Sequence, residues 1–253
     1  MLIEMAASAT RIAEVLAGMR AESARLVSAS EQPAPARLPA GSAALDALTG
    51  GGLMRGRIVE LSGPRSSGRM STVLTMTAAV QAAGELCAII DVADALDPRS
   101  AVRAGVILPR LLWVRPSCVL DGLKAADWVL DAGGFGLVVL YVAGAEVQRV
   151  EGDARTSWRR RSAMVRGEAP WIRLSRRAER AKSALVVVGD RPIVGTVAAV
   201  SLLAERGQVR WLGGERGQPR LLDGVRGRIA VARSKLGPPA ATADVPLDAV
   251  CRR

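Results

Sequence analysis

The chain has 253 residues, no histidine, and 35 Lys and Arg against 24 Asp and Glu, for a net charge of +11. That length suits one sizeable α/β domain with a small appendage. Without histidine, Ser-His-Asp or Cys-His catalysis and His-ligated metals are excluded within this chain.

The positive charge favours polyanions, nucleic acid first, although a composition rich in Ala, Arg and Gly produces the same excess. Cys87, Cys118 and Cys251 lie far apart with no C-x-x-C spacing, which fits a reducing compartment. Glu4 and Arg11 interrupt the N-terminal apolar residues, and the uncharged stretches 135–145 and 192–204 are too short to cross a bilayer. The expectation is a cytoplasmic, nucleoid-associated protein with no membrane contact, no metal and no cofactor.

In chain order, residues 2–30 read as an amphipathic helix with Ile12, Val15, Leu16, Met19 and Leu26 on one face. Either its own core or a neighbouring protein covers that face. Pro33, Pro35 and Pro39 then mark a linker, so residues 1–37 are expected to be an arm. Residues 38–236 form the core, and 237–253 a loose tail. The core alternates between predicted strands (57–62, 86–91, 111–115, 136–142, 184–189, 227–233) and predicted helices (42–49, 69–83, 98–105, 119–132, 171–182, 196–205). Apolar runs such as "LCAIID" and "SALVVVGD" are those of a mostly parallel sheet covered by helices on both faces.

Between the first of these strands and the next helix lies "GPRSSGRMS" (63–71). Gly63 and Gly68 have the spacing of the phosphate-binding pattern G-x-x-x-x-G-K-[ST], with Ser66 and Ser67 between them. The lysine position holds Arg69 and the hydroxyl position Met70. Arginine keeps the charge on a broad planar head, whereas a thioether is no hard-oxygen ligand for Mg²⁺. Ser71 comes one residue late and would need a register shift.

A second anomaly is basic. Arg155, Arg159, Arg160, Arg161, Arg166, Arg173, Arg176, Arg177, Arg180 and Lys182 crowd residues 154–182 around Trp158 and Trp171. Cations interleaved with flat rings suit single-stranded DNA. A solvated helix face with tryptophans pinned to the core gives the same pattern, and both readings are open.

"LPAGSAALDALTGGGLMRGRIVELSGPRSSGR", "CAIIDVADALDP", "AGVILPRLLWVRP" and "RIAVARSKLGPP", in this order, closely resemble the ATPase core of bacterial RecA recombinases. The resemblance covers roughly residues 38–239 and implies an α/β, RecA-like P-loop core with an N-terminal helical arm. It also implies losses. The glutamate that aligns the attacking water falls on Ala93, with Asp94 beside it expected to point away from an extended segment. The adenine-stacking tyrosine falls on Ser100, and the aspartate expected near Mg²⁺ on Tyr141. Asp97 matches a position near the adenine. Arg233 and Lys235 match basic residues that reach a neighbour's ATP across a filament interface.

With the metal ligand, water positioner, base stacker and second carboxylate all gone, the resemblance implies a pseudo-ATPase with no catalytic residue. In length, lost motifs and basicity the chain resembles the ImuA-type family. That implies an accessory of SOS-induced translesion synthesis whose partners are an ImuB-like polymerase homologue, RecA and single-stranded DNA. Three other readings stay open: an active DNA-stimulated ATPase, a SulA-like inhibitor of cell division, and a direct antagonist of RecA filaments, the last compatible with the mutagenesis role.

Overall fold

Runs of Val, Ile and Leu become strands buried on both faces in a computed structural model. It describes residues 36–145, 167–207, 209–213, 221–236 and 242–246, together with Glu14 and Gly18. The strands are β1 (Arg37–Leu38), β2 (Leu53–Met54), β3 (Ile58–Ser62), β4 (Leu86–Asp91), β5 (Leu111–Val114) and β6 (Phe135–Tyr141), followed by β7 (Ala184–Gly189), β8 (Val200–Glu205), β9 (Val209–Leu212), β10 (Leu221–Ser234) and β11 (Thr242–Pro246). The helices are α1 (Ala43–Leu48), α2 (Arg69–Ala82), α3 (Pro98–Arg103), α4 (Val119–Ala132) and α5 (Ala169–Ala181).

β1 and β2 form a small antiparallel pair. The other nine strands make one sheet in the order β11-β10-β8-β3-β7-β6-β4-β5, with β9 attached only to β10. From β8 to β5 every pairing is parallel, while β10 is antiparallel to β8, β9 and β11. The α/β, mostly parallel architecture expected from the sequence is the one found.

Period-two alternation divides the core. Val59, Leu61, Ile89, Val139 and Val188 pack with α1 and α2 on one face. Ile58, Ile90, Val138, Leu140 and Val187 pack with α4 and α5 on the other. β3 lies mid-sheet between β7 and β8, so the loop leaving its C-terminal end opens among three parallel strand ends, where ligands bind in open α/β sheets.

Three expectations need correction. Residues 196–205 were expected to be helical; instead a short 3₁₀ turn (Gly195–Val197) leads into β8. "VSLLAE" favours helix by composition, but propensity is a weak prior. Placement between β3 and β10 buries Leu202 and Ala204 completely and satisfies the backbone through the ladder. The tail is not wholly loose, because Thr242–Pro246 adds β11 to β10, in register from Arg226↔Pro246 to Ala230↔Thr242. The strand expected at 227–233 runs from 221 to 234, and its first part carries β9. Glu14 and Gly18 are helical and exposed; the rest of the arm through residue 35, with Ile12, Val15, Leu16 and Met19, lies outside the described residues.

Candidate functional site

The loop at 63–68 is built from backbone constraints. A Cβ on Gly63 would collide with the Ala204 carbonyl oxygen of β8 and come within 2.8 Å of Ser67 Oγ. Gly68, at φ 85°, caps α2 in the left-handed region without a side-chain hydrogen bond. The Thr72 hydroxyl donates to the Gly68 carbonyl at 3.0 Å. Ser67 is buried and its Oγ has no partner among the described residues. The turn of a phosphate loop is therefore intact, at the N-terminus of a 14-residue helix.

Arg69 does not reach across that turn. It is 5% exposed, and its Nη1 donates to the Gly189 carbonyl and to Asp190 Oδ1, both at 2.7 Å. Asp190 Oδ2 accepts the Gly144 N–H at 2.8 Å. Burial alone would raise the Asp190 carboxyl, but the Gly144 N–H and the Arg69 guanidinium outweigh it and hold it below the usual value. The cation at the loop's lysine position is thus spent on the end of β7 and the segment after β6. Met70 is partly buried against the core on the α2 side, and Ser71 follows it into the helix.

Ala93, Ser100 and Tyr141 each have a structural occupation. Asp94 is not on an extended segment: β4 ends at Asp91, and Asp94 sits at φ 50° with its carboxylate 3.4 Å from Arg115 Nη1, toward the β5 edge. Ala93 is partly buried beside Gly144. The Ser100 hydroxyl and N–H both donate to Asp97 Oδ2, at 2.6 and 2.9 Å, closing the cap of α3. Those bonds lower the Asp97 carboxyl. Tyr141 is paired with Asp91 across β6 and β4 and is 6% exposed. Burial raises its phenol, against the opposing pull of Arg69. Beside it, Asp91 accepts the Leu96 N–H at 2.9 Å through Oδ2, while its buried Oδ1 has no partner among the described residues.

A fit test for ATP with Mg²⁺ follows from these placements. A thioether packed on the core and a buried phenol stand at the two positions where the resemblance expects oxygen ligands for Mg²⁺; Arg69 is paired with Asp190, while Arg65 of the loop is exposed. Met70 and Tyr141 supply no carboxylate for Mg²⁺, and the carboxylate beside Tyr141 is that of Asp91, whose Oδ1 is unpartnered among the described residues.

Sequence reasoning missed two residues that organise this end of the sheet. Asp190 gave no signal of its own. Glu60 did, as the one charge within a fully buried strand, "IVELS". Its Oε1 accepts the N–H groups of Ile193 and Val194 at 2.6 and 2.7 Å, and its Oε2 accepts the Ser201 hydroxyl at 3.0 Å. Arg233 donates to the Gly195 carbonyl and lies 3.5 Å from Ser201 Oγ, so it braces its own chain. Lys235 is exposed, and its backbone N–H bonds Ala199 O at 2.8 Å.

The basic segment divides. Arg155, Arg159, Arg160, Arg161, Arg166 and Trp158 lie outside the described residues. On α5, Arg173 is held by both oxygens of Asp127, and Arg177 by Asp127 and Asp131 of α4. Arg176, Arg180 and Lys182 are exposed, with no ion pair among the described residues. Trp171 is fully buried in the core, which removes it as a stacking platform. Among the described residues no helix is long and apolar enough to cross a membrane.

The RecA N-terminal domain family matches residues 19–189. RecA of Clavibacter michiganensis subsp. michiganensis is 44% identical over 124 residues, 48% of this chain and 34% of that protein. RecA of Lactobacillus delbrueckii subsp. bulgaricus is 42% identical over 115 residues, 45% of this chain and 35% of its own length. RecA of Mycobacterium marinum is 42% identical over 115 residues, covering 45% and 33%. The match therefore spans about a third of these relatives. The intact loop turn, the parallel sheet around it and a family match across two thirds of the sequence lead to one conclusion: the chain belongs to the RecA N-terminal domain family.

Proposed function

We propose that this chain is a non-catalytic member of its family, a scaffold in the DNA-damage response of the kind the ImuA-type resemblance implies. Its partners in this reading are an ImuB-like polymerase homologue, RecA itself and single-stranded DNA. The observation that carries the proposal is the commitment of Arg69 to Asp190 and Gly189 O at 2.7 Å each. A phosphate at the loop would have to displace an internal carboxylate from a nearly buried guanidinium, with no metal ligand at Met70 or Tyr141 to assist.

The test is equilibrium binding of ATP, with and without Mg²⁺ and single-stranded DNA, followed by phosphate release. The expected result is turnover at the level of a no-protein control in every condition. DNA-dependent turnover would make the chain an active ATPase and end the scaffold reading.

The DNA part of the proposal rests on Arg176 and Arg180 of α5 and on Lys182 at its C-cap, cations that the neighbouring helix leaves exposed. Replacing Arg176 and Arg180 with Ala should reduce the slope of log affinity against log salt for oligo-dT by about 1.4, at about 0.7 per phosphate contact. Fluorescence anisotropy across a salt series reads this directly. An unchanged slope would remove α5 from the DNA-binding surface.

A further inference from the structure

Five large apolar side chains are exposed among the described residues, and three of them, Val102, Ile107 and Leu108, fall within seven positions. They are 56%, 44% and 37% exposed and lie on α3 and the 3₁₀ turn that follows it (Leu108–Arg110). The inner side of the same segment is already satisfied, because Leu96, Ala101 and Val106 are buried in the core. The segment thus has a second, outward apolar face. A depression of about 360 Å³ lies there, lined by Pro98, Arg99, Val102, Arg103 and Leu108.

The face is held in shape from below. Gln81 of α2 accepts the Ile107 N–H at 2.7 Å through Oε1 and donates Nε2 to the Ile107 carbonyl at 3.1 Å. Arg110 donates to the carbonyls of Gln81 and Gly84. A surface fixed in this way loses little conformational freedom when covered. Two cations and one carboxylate border the face. Arg99 and Arg103 are exposed and form no ion pair among the described residues. Asp97, which accepts the α3 cap bonds, is exposed and within electrostatic reach of Arg99, so the segment carries a net positive charge.

We propose that this face of α3 and its 3₁₀ turn docks an acidic segment of a partner protein, one that sets aliphatic side chains among carboxylates. The aliphatic groups would cover Val102, Ile107 and Leu108, and the carboxylates would meet Arg99 and Arg103. Charge complementarity selects this occupant, since Arg99 and Arg103 outnumber Asp97 and a basic or neutral apolar segment would leave that positive excess at the rim unanswered. The proposal is independent of the state of the phosphate loop.

The experiment selects a displayed library of random 16-residue peptides against the full chain, with counter-selection on V102S/I107S/L108S. All three positions are exposed, so the variant keeps the wild-type melting curve, which is checked first. The expected outcome is enrichment of peptides with net negative charge and several Leu, Ile or Val. Their binding should fall at least tenfold on the triple-serine variant and at least tenfold on R99E/R103E, and a fresh selection on R99E/R103E should enrich basic peptides. A failure to enrich any peptide would overturn the proposal, as would enriched peptides without charge bias or undiminished binding to the triple-serine variant. Sedimentation velocity supplies a further arm: a dimer of the wild type that is lost in V102S/I107S/L108S would assign the face to a second copy and also overturn it.

Discussion

Asp190→Ala should cost about 2 kcal/mol of folding stability, because it leaves the buried Arg69 guanidinium with only the Gly189 carbonyl and the water that reaches the exposed Asp190 position. For a chain of this size that corresponds to a fall in Tm of about 6 °C. Stranding the buried guanidinium is worse than removing both partners, so R69M/D190A should recover most of the loss. Urea unfolding of the three variants measures it, and an Asp190→Ala midpoint equal to wild type would discard the pair as a structural tie. The pair also fixes the sign of a pH effect. The folded Asp190 carboxyl lies below its ordinary value, so its contribution is fully present above the usual aspartate range, near pH 4. It is lost as pH falls through the lowered folded value. Wild type should therefore lose stability on acidification more steeply than R69M/D190A.

Glu60→Ala is expected to be larger, about 4 kcal/mol. Glu60 is 1% exposed and accepts from two backbone N–H groups and one hydroxyl. Each buried donor left without a partner costs about 1–3 kcal/mol, and these bonds are strengthened by the carboxylate charge. Glu60→Gln keeps an oxygen for Ile193 and Val194 and should lose about half as much. Hydrogen exchange should show new opening at Ile193 and Val194 in Glu60→Ala. An Ala variant within 1 kcal/mol of wild type would contradict the assignment of Glu60 as the anchor of residues 193–201.

The parallel strands could be read from the sequence because burial on both faces demands unbroken apolar runs, and 86–91 and 184–189 emerge with the expected bounds. β8 could not, because Ala, Leu and Glu are helix formers and only the neighbouring β3 and β10 make 200–205 a strand. The loop was legible as a turn from its two glycines. Where Arg69 points was not, because its partner lies 121 residues away and nothing about an isolated aspartate announces a mate. The same holds for α5: Arg173 and Arg177 look like free charge until Asp127 and Asp131 arrive from α4, 46 residues from each of their nearest mates. Glu60 was readable in principle, since a carboxylate inside a buried strand must have donors.

Gly63 carries a consequence for how such a chain can change over generations. The Ala204 carbonyl and Ser67 Oγ forbid a side chain at position 63 whether or not any phosphate ever arrives. Gly52 is under the same prohibition from the Leu38 carbonyl. These glycines answer to the packing of the sheet and its connections. Positions 70, 93 and 141 admit side chains of several kinds, here a methionine, an alanine and a tyrosine that all pack on the core. The two groups can therefore change at different rates, because packing alone is enough to hold the glycines. In this fold, the glycine skeleton of the loop marks descent, and the side chains between and beyond its glycines mark present use.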